Sequence, residues 1–118
     1  METKKGTRFA SSLEENLKKA LTELMVLKLM SHREYYIGEL TQALCKKSGN
    51  ILSIVFPYGA IYRMSRSGYI AESKKRTAPD GRLRQYYTIT DTGREYLVQL
   101  LETYRRFTTG VEAVLESE

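Results

Sequence analysis

The sequence has one cysteine, one histidine, two prolines and no tryptophan in 118 residues. A single cysteine excludes an internal disulfide. A single histidine, His32, with no cysteine at ligand spacing from it, does not supply a tetrahedral metal set and reads as a turn residue. No nucleotide-binding glycine loop, no serine-histidine-acid or cysteine-histidine set and no conspicuous pair of carboxylates is present, so neither catalysis nor a cofactor is expected. Long apolar runs are missing as well. The longest candidate, Leu24 to Met30, is broken by Lys28 and falls far short of the ~18 residues a membrane span needs. The N-terminal residues lack the apolar stretch of an export signal, and a cytoplasmic protein with no membrane partner is the expectation. The length suits one domain with a small core, and pairing with a second copy is a common way to enlarge such a core.

What the chain does have is clustered positive charge. Its net charge is +5. The stretch from Tyr58 to Thr88 holds Arg63, Arg66, Lys74, Lys75, Arg76, Arg82 and Arg84 against only Glu72 and Asp80, which matches the whole of that excess. Residues 89–118 are net acidic. Clustered cations attract phosphate backbones whatever the base sequence, and that attraction dominates non-specific nucleic-acid affinity. A charge run alone describes a solvated face equally well. The predicted elements around it favour the nucleic-acid reading.

Residues 1–11 read as a flexible basic arm. Ser11 or Ser12, followed by Glu14 and Glu15, makes a capping box. Leu13, Leu17, Ala20, Leu21, Leu24 and Leu27 then recur at helical spacing, which predicts a helix over 12–31 with a core-forming second half. A turn over Ser31 to Tyr36 leads to a second helix with Ile37, Leu40, Ala43 and Leu44 on one face, ended by Lys46, Lys47, Ser48 and Gly49. Ile51 to Phe56 is apolar but too short to assign. Pro57 opens a third helix with Ile61 and Met64 inward, stopped by Gly68. Tyr69 to Thr77 reads as a strand, Ala78-Pro79-Asp80-Gly81 as a turn, and Arg82 to Ile89 as the returning strand. Thr90 or Asp91 caps a last helix that reaches about Leu115. The fold class is therefore mainly α with a β-hairpin. It is a winged helix-turn-helix over 12–89, flanked by long N- and C-terminal helices, whose third helix would enter a major groove of double-stranded DNA.

On the last helix, Leu97, Leu100, Tyr104, Phe107, Val111 and Val114 follow a 3-4 spacing, and Leu101 and Leu115 widen the stripe. About 25 residues at 1.5 Å each give roughly 38 Å, longer than a core of this size covers. Residues 90–118 thus read as a dimerisation helix, with Leu97, Leu100, Leu101, Tyr104, Phe107, Val111 and Val114 at the interface of a homodimer.

The candidate DNA-contacting residues are Tyr58, Tyr62, Arg63 and Arg66 on the third helix and Lys74, Lys75, Arg76, Arg82 and Arg84 on the hairpin. Arginine takes a guanine edge or a phosphate, and tyrosine bonds phosphate or packs on sugar and thymine methyl. Tyr58 and Tyr62 could equally brace helix against hairpin, and Arg84 could pair with an acidic residue. Cys45 reads as a buried, inert thiol. Its neighbours Lys46 and Lys47 leave a redox role as the alternative.

At Gly81-Arg82-Leu83-Arg84-Gln85-Tyr86-Tyr87-Thr88-Ile89-Thr90-Asp91-Thr92-Gly93 the chain resembles the wing-to-helix signature of PadR-type transcriptional regulators. Tyr58, Ile61, Arg63, Met64 and Gly68-Tyr69-Ile70 are similar to the family's recognition helix and the turn after it. The resemblance spans roughly residues 12–115 and suggests the short subfamily. It differs where Val55-Phe56-Pro57 replace the usual Gly-Thr-Leu triplet, at Ile37-Gly38, and at Ser65, Arg66 and Ser67, which stand in place of acidic residues. The resemblance implies a homodimeric DNA-binding regulator, usually a repressor, released by a signal such as a small aromatic effector. Tyr96, Tyr104 and Phe107 would be the aromatic residues nearest an effector held between the long helices; the alternative, and the better-supported one, is that they only pack the interface. The alternatives from other classes are a winged helix that docks its basic hairpin on an acidic protein, and a small-molecule sensor with no direct DNA role.

Overall fold

The structure, a computed structural model, describes residues 2–53 and 57–118, with side chains from Ser12 onward. Four helices and one hairpin follow in the order α1 (Glu2–Met30), α2 (Ile37–Lys47), α3 (Tyr58–Arg66), β1 (Ile70–Thr77), β2 (Leu83–Ile89) and α4 (Asp91–Leu115). That is the predicted order, helix-helix-helix-hairpin-helix. The unassigned stretch is irregular over residues 51–53, and Ile54 to Phe56 lie outside the described residues.

The start of α1 corrects the sequence reading. The helix runs from Glu2 instead of from Ser12, so residues 2–11 are helical where a loose arm was expected. Met1 lies outside the described residues. The segment has no proline and a single glycine, half of it is Glu, Lys, Arg and Ala, and interior serines cost only about 0.5 kcal/mol each relative to alanine. Ser12 therefore lies within the helix and does not mark its start.

The core forms where the helices cross. Val26, Leu27 and Met30 of α1 meet Leu40 and Leu44 of α2, Ala60, Ile61 and Met64 of α3, Ile70 and Ile89 of the hairpin root, and Leu97 of α4. The second half of α1 is central, as its all-round apolar sequence predicts. Its predicted inward stripe does not stay inward. Leu13 is 62 % exposed and Leu17 50 %, because at 1.5 Å per residue α1 outruns the other helices toward its N-terminal end.

Strands β1 and β2 pair antiparallel with Ile70 opposite Ile89, Glu72 opposite Tyr87, Lys75 opposite Gln85 and Arg76 opposite Arg84. The register shifts by one residue between Glu72 and Lys75, a bulge that leaves Ser73 and Lys74 facing Tyr86. The Gln85 side-chain amide fills the gap by donating to the Ser73 carbonyl at 2.7 Å. The turn closes through Ala78 N–H on the Arg82 carbonyl at 2.8 Å, with Gly81 at φ +84°, a conformation open to glycine at no steric cost. Tyr35, inside the predicted turn, adds a one-residue bridge to Tyr87 on β2.

The junction between hairpin and α4 is tight. Thr90 caps α4 by accepting the Gly93 N–H at 2.9 Å, while its own hydroxyl donates to the Gly68 carbonyl at 2.6 Å. Any Cβ on Gly93 would run into the Tyr69 carbonyl, so the close approach requires glycine. This fixes the direction in which α4 leaves the winged motif.

Candidate nucleic-acid interface

Helix α3 buries Ala60, Ile61 and Met64. With 3.6 residues per turn, the opposite face is centred on Gly59, Tyr62 and Arg66. Tyr58 and Ser65 flank it on one side and Arg63 on the other. Tyr58 is 56 % exposed and Tyr62 61 %. Arg66 Nη1 donates to the Tyr62 hydroxyl at 3.1 Å, one helical turn away, and its guanidinium lies 5.6 Å from the Tyr62 ring centroid. The two side chains therefore orient one another on the exposed face. Tyr58, Tyr62 and Ser65 also border a groove whose other wall is the hairpin root, with Ala71, Glu72 and Tyr87.

Arg63 behaves differently from its neighbours. Its Nε donates to Glu23 Oε2 of α1 at 3.3 Å. The other Glu23 oxygen accepts the Tyr96 hydroxyl of α4 at 3.0 Å. Tyr96 in turn stacks on Tyr69, with centroids 4.0 Å apart and planes 13° from parallel. Burial, then the Glu23 hydrogen bond, pushes the Tyr96 phenol up to about 12, so it remains a donor at neutral pH. Sequence spacing grouped Arg63 with Arg66; the fold turns Arg63 toward the α1–α4 seam.

The hairpin cations divide in the same way. Arg76 lies 3.7 Å over the Tyr86 ring and donates to Glu34 Oε1 at 2.9 Å, and Ser73 donates to the same oxygen at 3.0 Å. These bonds, Arg76 foremost, hold the Glu34 carboxyl below its ordinary value. Arg84 donates from Nη2 to Asp80 Oδ2 at 2.6 Å, and the Arg82 N–H donates to Asp80 Oδ1 at 3.0 Å. The Arg84 bond and then the Arg82 bond lower the Asp80 carboxyl. Tyr36, at the start of α2, meets Tyr86 edge to face at 5.4 Å and lies 5.4 Å from the Arg84 guanidinium. Arg76 and Arg84, directly opposite across the strands, would repel; Glu34 and Asp80 compensate them. The paired reading of Arg84, left open by the sequence, is the one its geometry supports. Lys74, Lys75 and Arg82 are exposed, and their side chains form no salt bridge among the described residues. The hairpin thus presents these three cations outward, while Arg76 docks it to the α1–α2 turn through Glu34 and Arg84 pairs with Asp80 in the hairpin's own turn, near the Tyr36 ring. Glu34, Tyr36 and Tyr86 build that docking and were not singled out in the sequence, because they come together only across the Tyr35–Tyr87 bridge.

On α4 the apolar stripe splits. Leu97, expected at a dimer interface, is instead buried in the protomer's own core, and Leu100 and Leu101 are partly buried against it. The first turns of α4 lie on α1, so its seam starts inside the domain. Beyond them Phe107 and Val114 are 71 % and 70 % exposed, Val111 40 % and Tyr104 39 %. Tyr104 also closes an apolar groove of about 430 Å³ with Leu13, Leu17, Leu21 and Met25 of α1 and Leu52. Tyr96 is taken up by Tyr69 and Glu23 and does not share that open face. Cys45 is half-buried, where a buried thiol was expected, because Leu44 beside it takes the core position; its thiol is 3.6 Å from Asn50 Oδ1. His32 is exposed in the α1–α2 turn. Among the described residues no group of three or more His, Cys, Asp or Glu could hold a metal ion, and no helix is long and apolar enough to cross a membrane.

Comparison with known proteins finds the same fold. Among solved structures, a PadR-like transcriptional regulator from Bacillus cereus is 28 % identical, with a TM-score of 0.73 over 87 % of this chain and 99 % of that one. A transcriptional regulator from Clostridium thermocellum has the same fold at 21 % identity, with a TM-score of 0.74 over 83 % of this chain and 93 % of that one. Bacillus subtilis PadR, solved in complex with operator DNA, matches at 19 % identity and a TM-score of 0.59 over 69 % of this chain and 46 % of that one. No curated protein matches the chain. The family model for PadR-like transcriptional regulators matches residues 26–99, from the core half of α1 through the winged motif to the first turns of α4. The chain belongs to the PadR-like transcriptional regulator family.

Proposed function

We propose that this protein is a homodimeric, sequence-specific DNA-binding repressor that reads an inverted repeat and is released by a small aromatic effector. The observation that carries the reading is the exposed row on α3, Tyr58, Tyr62 and Arg66, beside a hairpin whose Lys74, Lys75 and Arg82 form no salt bridge among the described residues. An arginine held ready by a tyrosine on the outward face of a helix suits a guanine edge in the major groove. Exposed hairpin lysines suit phosphates on either side. The structure of Bacillus subtilis PadR with operator DNA lends the same fold to that task.

Dimerisation accounts for the rest of the exposed surface. Phe107, Val111 and Val114 of α4 and Leu13 and Leu17 of α1 form apolar faces that water disfavours. A two-fold partner whose α4 enters the groove of Leu13, Leu17, Leu21, Met25 and Tyr104 would cover both. Two copies of α3 would then address half-sites about one helical turn apart. An aromatic effector would meet Tyr104 and Phe107 at that junction. Tyr96 is already engaged within the protomer.

The test is selection of bound fragments from genomic DNA, followed by a gel shift on the enriched duplex. Arg66→Ala should weaken that duplex strongly, and an inverted repeat should emerge. A wild-type protein that retains no duplex even at low salt would refute the DNA reading and leave the hairpin as a protein-docking surface.

A further inference from the structure

No motif marks Glu23. It lies on α1, 40 residues before Arg63 and 73 before Tyr96, yet its two oxygens join them at 3.3 and 3.0 Å. We propose that Glu23 is a positioning residue for DNA reading: it holds Arg63 aside and cancels its charge, so that α3 offers DNA one uncompensated arginine, Arg66, instead of two. The inference rests on α3 being the DNA-contacting helix.

The argument is one of geometry and charge. Arg63 flanks the outward face of α3, its side chain is 62 % exposed, and an arginine there is long enough to swing toward a phosphate. An exposed ion pair by itself holds an arginine weakly, since ordering two flexible side chains offsets most of the attraction. Glu23 is not such a partner. Its side chain is 23 % exposed, and the hydroxyl that orients it belongs to Tyr96, itself fixed by stacking on Tyr69. The carboxylate is therefore ordered before Arg63 reaches it.

The consequence concerns specificity more than affinity. Each cation placed on a phosphate strengthens binding to every duplex alike, whereas a base-edge contact strengthens only the right one. Withdrawing Arg63 from phosphate while leaving Arg66 exposed lowers the affinity for unrelated DNA and raises the ratio between correct and incorrect sites. Because Tyr96 belongs to α4, the helix of the proposed dimer, the setting of Arg63 also depends on how α4 lies on α1.

The experiment measures binding of the 118-residue chain to a mixed-sequence duplex across a series of salt concentrations. The variants are Glu23→Gln, Arg63→Gln and the double variant. Glutamine keeps an oxygen for the Tyr96 hydroxyl and removes the charge together with the acceptor that faces Arg63. E23Q should bind the mixed duplex more tightly, and its log–log salt slope should steepen by about 0.9 per protomer bound, or about 1.8 for a dimer, the signature of one further phosphate contact in each half-site. In the R63Q background the same substitution should leave the slope unchanged. Equal steepening in both backgrounds would mean a diffuse charge effect, and no steepening in either would mean no withdrawal; both overturn the proposal. Should E23Q not fold, Tyr96→Phe carries the test, since it keeps the stack and removes the orienting hydroxyl. Its slope should steepen, and an unmoved slope overturns the proposal. A wild-type protein that binds no duplex at all removes the DNA reading itself, an outcome distinct from these.

Discussion

Phe107→Ala separates association from folding. Phe107 is 71 % exposed in the protomer, so truncating it removes little from the core. Fully burying a phenylalanine side chain contributes roughly 1.5–3 kcal/mol, and with most of the ring still exposed about 1–2 kcal/mol remains to be gained against a partner. A two-fold interface counts each residue twice, which makes roughly 2–4 kcal/mol in the dimer. At 1.4 kcal/mol per factor of ten, the dissociation constant should rise roughly 30- to 1,000-fold. Leu97→Ala provides the contrast. Leu97 belongs to the same heptad seam but is only 6 % exposed, so its truncation should cost about 2–5 kcal/mol of folding stability. Sedimentation velocity over a concentration series, with thermal melts of the same samples, measures both. If the proposed dimer forms through this face, F107A should sediment as monomer at concentrations where the parent still associates, while its fold persists. F107A sedimenting like the parent throughout would refute the assignment of the distal half of α4 as the interface.

Arg66→Ala should cost about 1–3 kcal/mol per half-site on the selected operator and relax the preference at one base position, read by titrating single-base variants of the duplex. Lys75→Ala should weaken all duplexes nearly alike and flatten the salt slope by about 0.9 per protomer bound. Gly93→Ala should lower the unfolding free energy by roughly 1–3 kcal/mol in urea, because the added methyl meets the backbone carbonyl of Tyr69 and not a side chain that could move. Acid should loosen the wing before the core. Glu34 and Asp80 both titrate below their ordinary values when folded, so their contribution is complete above the ordinary carboxylate range and is lost as the pH falls through the lowered values. Amide exchange at Ser73 and Gln85 should then rise ahead of exchange at Leu27 and Leu40; simultaneous loss of protection would contradict the docking role given to Glu34.

Much of the architecture is legible in the sequence because each element carries its own local punctuation. Pro57 and Gly68 bracket α3, Ala78 to Gly81 make the hairpin turn, and Thr90 caps α4, and all three stand where the spacing places them. The start of α1 is not legible in this way, because a capping pattern only permits a helix to begin; nothing in residues 2–11 prevents it from beginning earlier. The bulge at Ser73 and Lys74 has no turn residue to announce it, and it reassigns the faces of β1 beyond it.

The candidate site divides along the same line. Local sequence determined that the cations cluster between Tyr58 and Thr88 and that a helix and a hairpin carry them, since charge, periodicity and turn chemistry act over a few residues. Which cations face outward was decided only by the tertiary structure. Arg63, Arg76 and Arg84 are compensated by Glu23, Glu34 and Asp80, and the first two partners lie about 40 residues away in the chain. The same holds for α4, whose regular seam runs unbroken from Leu97 to Val114 although one end is core and the other is exposed. A helical repeat records that a face is apolar; what covers that face depends on where the chain's other segments end in space, and short-range pattern carries no such information.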